Sequence, residues 1–161
     1  MKERIVVAKF GGTSVADAGQ VRKISDIVRS DPARRFIVVS APGKRFSDDI
    51  KVTDLLLDLY EKAKAGEPFA AELRQIKMRF REIINGLGIS FPLDEEFEIL
   101  EQSLRTEPMR DYTASRGEYL TAKIVAKYLG FTFVDPAWCV CFDQDGHLNG
   151  PMTSRTMCAS L

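Results

Sequence analysis

Ile5, Val6, Val7 and Ala8 form a nearly continuous apolar run, Phe36–Ser40 (FIVVS) forms a second, and Val21, Ile24, Ile27 and Val28 keep helical spacing between them. Continuous apolar runs are the mark of parallel strands buried on both faces, and the 3.6-residue period between them predicts a helix. Asp31-Pro32 ends that helix, because proline restricts the residue before it. The first forty residues therefore predict a βαβ unit. Thr53 is the expected N-cap of a second helix carrying Leu55, Leu56, Leu57, Leu59 and Tyr60. Pro68 is expected in the first turn of a third, whose stripe runs through Leu73, Ile76, Phe80, Ile83, Ile84 and Leu87 to Gly86 and Gly88. Asp94 is expected to cap a fourth helix with Phe97, Leu100 and Leu104 on its buried side. Ser115 and Glu118, at capping-box spacing, predict a fifth that buries Leu120, Ile124, Val125 and Tyr128 and stops at Gly130. Phe131 to Val134 reads as a third strand, followed by a short extended segment with a packed Trp138 and a turn at Asp145-Gly146. From Asn149 onward neither period is visible. The pattern predicts an α/β fold, a parallel-sheet core with helices on both faces.

A chain of 161 residues suffices for one domain and its core. Lys plus Arg equals Asp plus Glu at 23 each, so nothing in the charge calls for nucleic acid or an anionic membrane as partner. No apolar run approaches the roughly 20 residues of a membrane span. The N-terminus enters a strand directly rather than a leader segment, which makes a cytoplasmic protein the expectation. Cys139, Cys141 and Cys158 complete no zinc pattern and read as reduced structural thiols, and His147 reads as a surface residue; no protein metal site is expected.

The chemistry gathers at strand ends. Gly11 and Gly12 close the first strand, where glycines can adopt conformations closed to other residues and bring N–H groups against a ligand, and Lys9 adds a mobile charge. Ser14 and Asp17 have capping-box spacing, which would point a helix N-terminus at the same space. The turn is neither GxxxxGK nor GxGxxG, and a tight connection with a solvated lysine is the competing reading. Ser40 to Thr53 leaves the second strand and should face the same crevice. Lys44, Arg45 and Lys51 read as a solvated charged loop, the stripe of the third helix as packing without chemistry, and Glu118, taken alone, as the reciprocal cap of Ser115.

Three strings, KFGGTSV at Lys9–Val15, VVSA ending the second strand, and SRGEYLTA from Ser115, closely resemble the signature segments of aspartate kinases in the amino acid kinase family. The resemblance covers about residues 3–148. It implies the N-terminal lobe of the amino acid kinase fold over 1–148, truncated before the second half of the catalytic domain, with 149–161 as an irregular tail, either a truncation or a cloning scar. It also implies transfer of the γ-phosphoryl group of ATP to the β-carboxylate of L-aspartate, the first step toward lysine, threonine and methionine. Lys9, as the catalytic residue, would act on the phosphates with Gly11, Gly12, Thr13 and Ser14. Ser40, Thr53 and Glu118 would hold aspartate, with Glu118 on its α-amine, and Mg²⁺ would arrive with ATP. A homo-oligomer is expected, since missing strands would expose an apolar edge. The alternative is an inactive fragment that binds anions or amino acids, or that serves oligomerisation. A kinase for acetylglutamate or a nucleoside monophosphate is disfavoured by SRGE together with KFGGTSV.

Overall fold

The computed structural model of the chain describes residues 4–160. The lead-in at Met1–Glu3, where both the direct entry into a strand and the start of the family resemblance fall, lies outside the described residues, as does Leu161. The chain divides into two compact units, the first ending at Phe131 and the second beginning at Thr132.

The first unit is α/β. Strands β1 (Val6–Phe10) and β2 (Arg34–Val39) pair in parallel, with Ala8 opposite Ile37, Lys9 opposite Val38 and Phe10 opposite Val39. Helix α1 (Ala18–Arg29) connects them, and α2 (Val52–Lys64), α3 (Ala70–Leu87), α4 (Leu93–Thr106) and α5 (Arg110–Leu129) follow. The helical stripes of the sequence meet in one core, where Leu56, Leu59, Ile76, Phe80, Phe97, Leu100 and Ile124 are fully buried. Phe80 and Phe97 meet edge to face at 6.4 Å, a favoured aromatic geometry that ties α3 to α4. Gly88 and Gly130 end α3 and α5 in the left-handed region at φ 68° and 75°, as the sequence predicts.

The strands are not buried on both faces. Phe10, Ile37 and Val39 face the helices, while Val7 and Val38 on the opposite face are 63% and 49% exposed. A strand alternates its side chains, so helices packed on one side leave every second residue open. The expected double burial holds for half of each run, and Ile27 of α1 is likewise 46% exposed.

Several helix starts differ from the sequence reading. Asp17, not Ser14, caps α1 by accepting the Gln20 N–H at 2.9 Å. Lys51 precedes α2, which places Thr53 in its first turn rather than at the cap. Phe69 and Pro92 occupy the N-cap positions of α3 and α4, so Pro68 lies before the helix, and Asp94 instead pairs with Lys77 and Arg81 at 2.6 Å each. Helix α5 begins at Arg110, which leaves Ser115 inside it, its hydroxyl donating to Tyr112 O at 2.7 Å. The capping-box spacing from Ser115 to Glu118 therefore opens no helix.

Where the first unit ends and the second begins, Phe131 to Val134 form no strand. A strand needs a ladder partner, and here the chain turns at once, with the Asp135 carboxylate accepting the Ala137 N–H at 2.9 Å over the 3₁₀ turn Pro136–Trp138. Trp138 is 79% exposed and does not pack. The turn at Asp145-Gly146 is present, with Gly146 at φ 81°, and His147 is exposed beside it. Residues 149–161 were expected to be irregular, yet helix α6 (Gly150–Ser160) forms there. Asn149 accepts the Met152 N–H at 3.0 Å and Pro151 sits in the first turn, start signals that outweigh a weak apolar period. Cys139, Cys141 and Cys158 are free thiols. No helix among the described residues is long and apolar enough to cross a membrane.

Phe80→Ala should lower the unfolding free energy by about 3–5 kcal/mol, the cost of a cavity in a core that cannot collapse around it. Ile99→Ala, on the exposed side of α4, should change it by less than about 0.5 kcal/mol. Urea unfolding of both variants checks the placement of the core.

Candidate functional site

The two strand ends are locked together by their backbones. Beyond β1 the chain makes a 3₁₀ turn, Gly12–Val15, in which the Ser14 N–H returns to Gly11 O at 2.9 Å. Beyond β2, Gly43 donates its N–H to Gly12 O at 2.8 Å, and Val52, opening α2, donates to Pro42 O at 3.0 Å. No Cβ fits at this crossing: one on Gly12 would lie 2.9 Å from Ala41 O, and one on Gly43 would lie 2.7 Å from the Gly12 carbonyl carbon. The glycines are needed for close approach, not for backbone freedom; Gly11 has φ −77° and neither Gly11 nor Gly12 has positive φ.

The turn holds a set of donors. Among the described residues, no acceptor takes the N–H groups of Gly11, Gly12 or Thr13. Unpaired amides at such a turn are donors that an anion can use.

Helix α5 closes the site from the other side. Gly117 is pressed against the strand end, since a Cβ there would lie 2.7 Å from Ala41 Cβ and 3.2 Å from Leu56 Cδ1. This contact sets the next residue, Glu118, beside the loop, where its Oε1 accepts the Ala41 N–H at 3.1 Å. Among the described residues Oε2 makes no hydrogen bond, so half of the carboxylate is available to a ligand. Arg116 in the same string is engaged elsewhere, stacked between Tyr112 and Tyr119 at 4.2 Å from each ring.

The loop after Gly43 is held from beneath. Arg79, 5% exposed on α3, donates through Nη1 to Asp49 Oδ1 at 3.0 Å and Ile50 O at 3.1 Å, and through Nη2 to Gly43 O at 3.0 Å. Asp49, 8% exposed, also accepts from Arg45 through its backbone N at 2.9 Å, Nε at 2.8 Å and Nη2 at 3.1 Å. Arg45 reaches Glu82 at 2.8 Å as well, so it is a paired residue rather than part of a solvated loop. The Arg45 hydrogen bond, followed by the backbone bond and the Arg79 charge, outweighs burial and holds the Asp49 carboxyl far below the usual carboxylate range. Burial pushes the Arg79 guanidinium down from its ordinary value.

Of the residues expected to act, Gly11, Gly12, Thr13, Ser14, Ser40 and Glu118 gather around this crossing, and Thr53 lies one residue past Val52. Ser40 donates its backbone N–H to Phe10 O at 3.1 Å, which places it at the β2 exit beside the turn. Lys9 lies on the open sheet face opposite Val38, and its side chain makes no hydrogen bond or ion pair among the described residues. The sequence reading missed Arg79 and Asp49. The signal was present: position 79 falls between Ile76 and Ile83 on a stripe otherwise apolar, and a charge there needs a buried partner.

A model of the amino acid kinase family matches residues 4–157, and the chain belongs to that family. Its curated relatives carry a more particular name. Aspartokinase 3 of Bacillus subtilis (strain 168) is 38% identical over 133 residues, 78% of this chain and 29% of the relative. Lysine-sensitive aspartokinase 3 of Escherichia coli (strain K12) is 33% identical over 144 residues, 83% and 30% respectively. The crystal structure of Clostridium acetobutylicum aspartate kinase matches with a TM-score of 0.95 at 38% identity over 98% of this chain and 36% of that one. E. coli aspartokinase III, in complex with aspartate and ADP, shares the fold with a TM-score of 0.76 at 23% identity, covering 96% and 37%. The chain thus spans about a third of the length of these relatives. The family match runs past residue 149, so the segment expected to be foreign to the family lies mostly inside it.

Because Asp49 titrates lower when folded than when unfolded, its contribution is complete above the unfolded pKa of about 4 and is lost as pH falls below that value. Asp49→Asn should lower stability near pH 7 by about 2–3 kcal/mol. The gap to the unaltered chain should narrow on acidification below about pH 4. Urea midpoints across a pH series measure both effects.

Proposed function

We propose that this chain carries the phosphate- and aspartate-binding part of an aspartate kinase, which transfers the γ-phosphoryl group of ATP to the β-carboxylate of L-aspartate. One observation carries the reading: three amides at the β1 exit and a carboxylate oxygen at the β2 exit, all without a partner among the described residues, are fixed to one another through Gly43 and Ala41. The first suits a phosphate and the second an α-ammonium group. The aspartokinase names of the relatives, and the aspartate and ADP bound by E. coli aspartokinase III, support the same assignment.

The acceptor carboxylate is already ionised at neutral pH, so the reaction needs no general base. Catalysis rests on bringing two anions together and on stabilising charge at the transferred group. The Gly11, Gly12 and Thr13 amides, the Thr13 and Ser14 hydroxyls and the Lys9 ammonium would supply positive potential at the phosphates. Glu118 would take the ammonium of aspartate while Ser40 and Thr53 direct its carboxylates. Mg²⁺ enters with ATP as part of the substrate. Self-association and a cytoplasmic location belong to the same proposal and are read by sedimentation and fractionation.

Titration of the chain with L-aspartate, and separately with MgATP, tests the assignment alongside a coupled assay for ADP release. Aspartate binding without ADP release fits a binding portion of the enzyme, aspartate-dependent ADP release fits a complete site, and failure to bind either ligand defeats the assignment for this chain. Glu118→Gln keeps an acceptor for the Ala41 N–H and should weaken aspartate about 10- to 100-fold, the worth of one hydrogen bond to a charged group. In an enzyme containing the whole kinase domain, Lys9→Met should lower kcat far more than it weakens aspartate binding. A near-normal kcat would remove Lys9 from the mechanism.

A further inference from the structure

We infer that Arg79 is a positioning residue for the candidate site: its guanidinium clasps both ends of the Gly43–Ile50 loop and thereby sets the register between the glycine turn and the substrate side. The inference rests in part on the proposed aspartate kinase reading, because it assigns Arg79 an effect on aspartate binding without contact to substrate.

The geometry is that of a clasp. Nη2 holds Gly43 O at the start of the loop, while Nη1 holds Ile50 O and Asp49 at its end. The start of the loop carries the Gly43 N–H bonded to Gly12 O, so fixing Gly43 fixes the turn that presents the unpaired amides. The end of the loop runs through Lys51 into Val52 and Thr53, so the same guanidinium also sets where α2 begins. Between these ends the chain is open, with Phe46 59% and Ile50 47% exposed, and apolar packing alone does not hold the loop down. Arg45, on the loop itself, braces Asp49 from the opposite side.

A purely structural role accounts poorly for this residue. Burying an ion pair costs desolvation, and an apolar replacement of similar volume is often as stable. An apolar side chain would satisfy neither the Gly43 nor the Ile50 carbonyl and would leave the loop's ends unfixed. Lysine is no substitute either, since a single ammonium lacks the planar fork that reaches three acceptors in fixed directions.

The test compares Arg79→Lys and Arg79→Met with Leu73→Ala, a core change on the same helix, in the 161-residue chain. Amide hydrogen exchange is followed at Gly43 and Val52, with urea unfolding for global stability and titration with L-aspartate. Arg79→Lys should speed exchange at both amides by about tenfold or more through local opening, while amides in the middle of α3 and α5 keep the protection that global stability dictates. It should also weaken aspartate by about tenfold or more, a loss of at least one decade in Kd. Leu73→Ala should shift all amides together with global stability and leave aspartate affinity near normal. Arg79→Met serves if the lysine variant fails to fold. Unchanged exchange at Gly43 and Val52 in a folded Arg79 variant overturns the inference, and so does faster exchange with normal aspartate affinity. If the unaltered chain binds no aspartate, the proposed function fails for this chain, and exchange at Gly43 and Val52 still decides whether Arg79 sets the register.

Discussion

Gly12 and Gly43 touch through their backbones, and the site exists because nothing stands between them. A single methyl group on either glycine would collide with main-chain atoms of the other segment, atoms that cannot swing aside as a side-chain tip can. The contact brings the β1 exit and the β2 exit to hydrogen-bonding distance. It also leaves the Gly11, Gly12 and Thr13 amides without an acceptor among the described residues, because the turn that makes room for the crossing gives them none of its own. Gly117 repeats the device from α5, where its missing side chain lets the helix rest on Ala41 and brings Glu118 to the same end of the sheet. Glycines on three segments therefore define one small volume by exclusion, and the polar groups occupy what remains.

The stability of this arrangement comes from two different sources. The helices hold one another through a continuous apolar core, with Phe80 against Phe97 at its centre. The loop above the core has little apolar contact and is held by charge-assisted hydrogen bonds to a buried arginine. Such bonds are directional where dispersion contacts are not, so they define the position of a loop more sharply than they add to the stability of a fold.

Much of this could be read from the sequence, for reasons visible at particular residues. The stripes on α3, α4 and α5 are long and strongly periodic, and they lie where the period places them. Short signals gave way to tertiary context. Ser115 and Glu118 have the spacing of a capping box, yet α5 already starts at Arg110, and Glu118 turns one carboxylate oxygen to the N–H of Ala41, seventy-seven residues away in the chain. Phe131 to Val134 have strand composition but no partner strand among the described residues. The pairing of Arg79 with Asp49 joins residues thirty apart and leaves no local period, so only the misplaced charge on an apolar stripe announces it.

Lys9 shares the open sheet face with Val7 and Val38, apolar neighbours that offer it no counter-charge. Water screens the ammonium so long as that face is wet. At 4 Å a unit charge acts on another with about 1 kcal/mol in water and about 4 kcal/mol at the effective dielectric of a protein surface. Any layer that dries the Val7–Val38 face would therefore multiply the pull of Lys9 on a nearby anion without moving the lysine. The apolar surround makes the field of this one cation adjustable by coverage, and its strength becomes a property of whatever closes over the sheet.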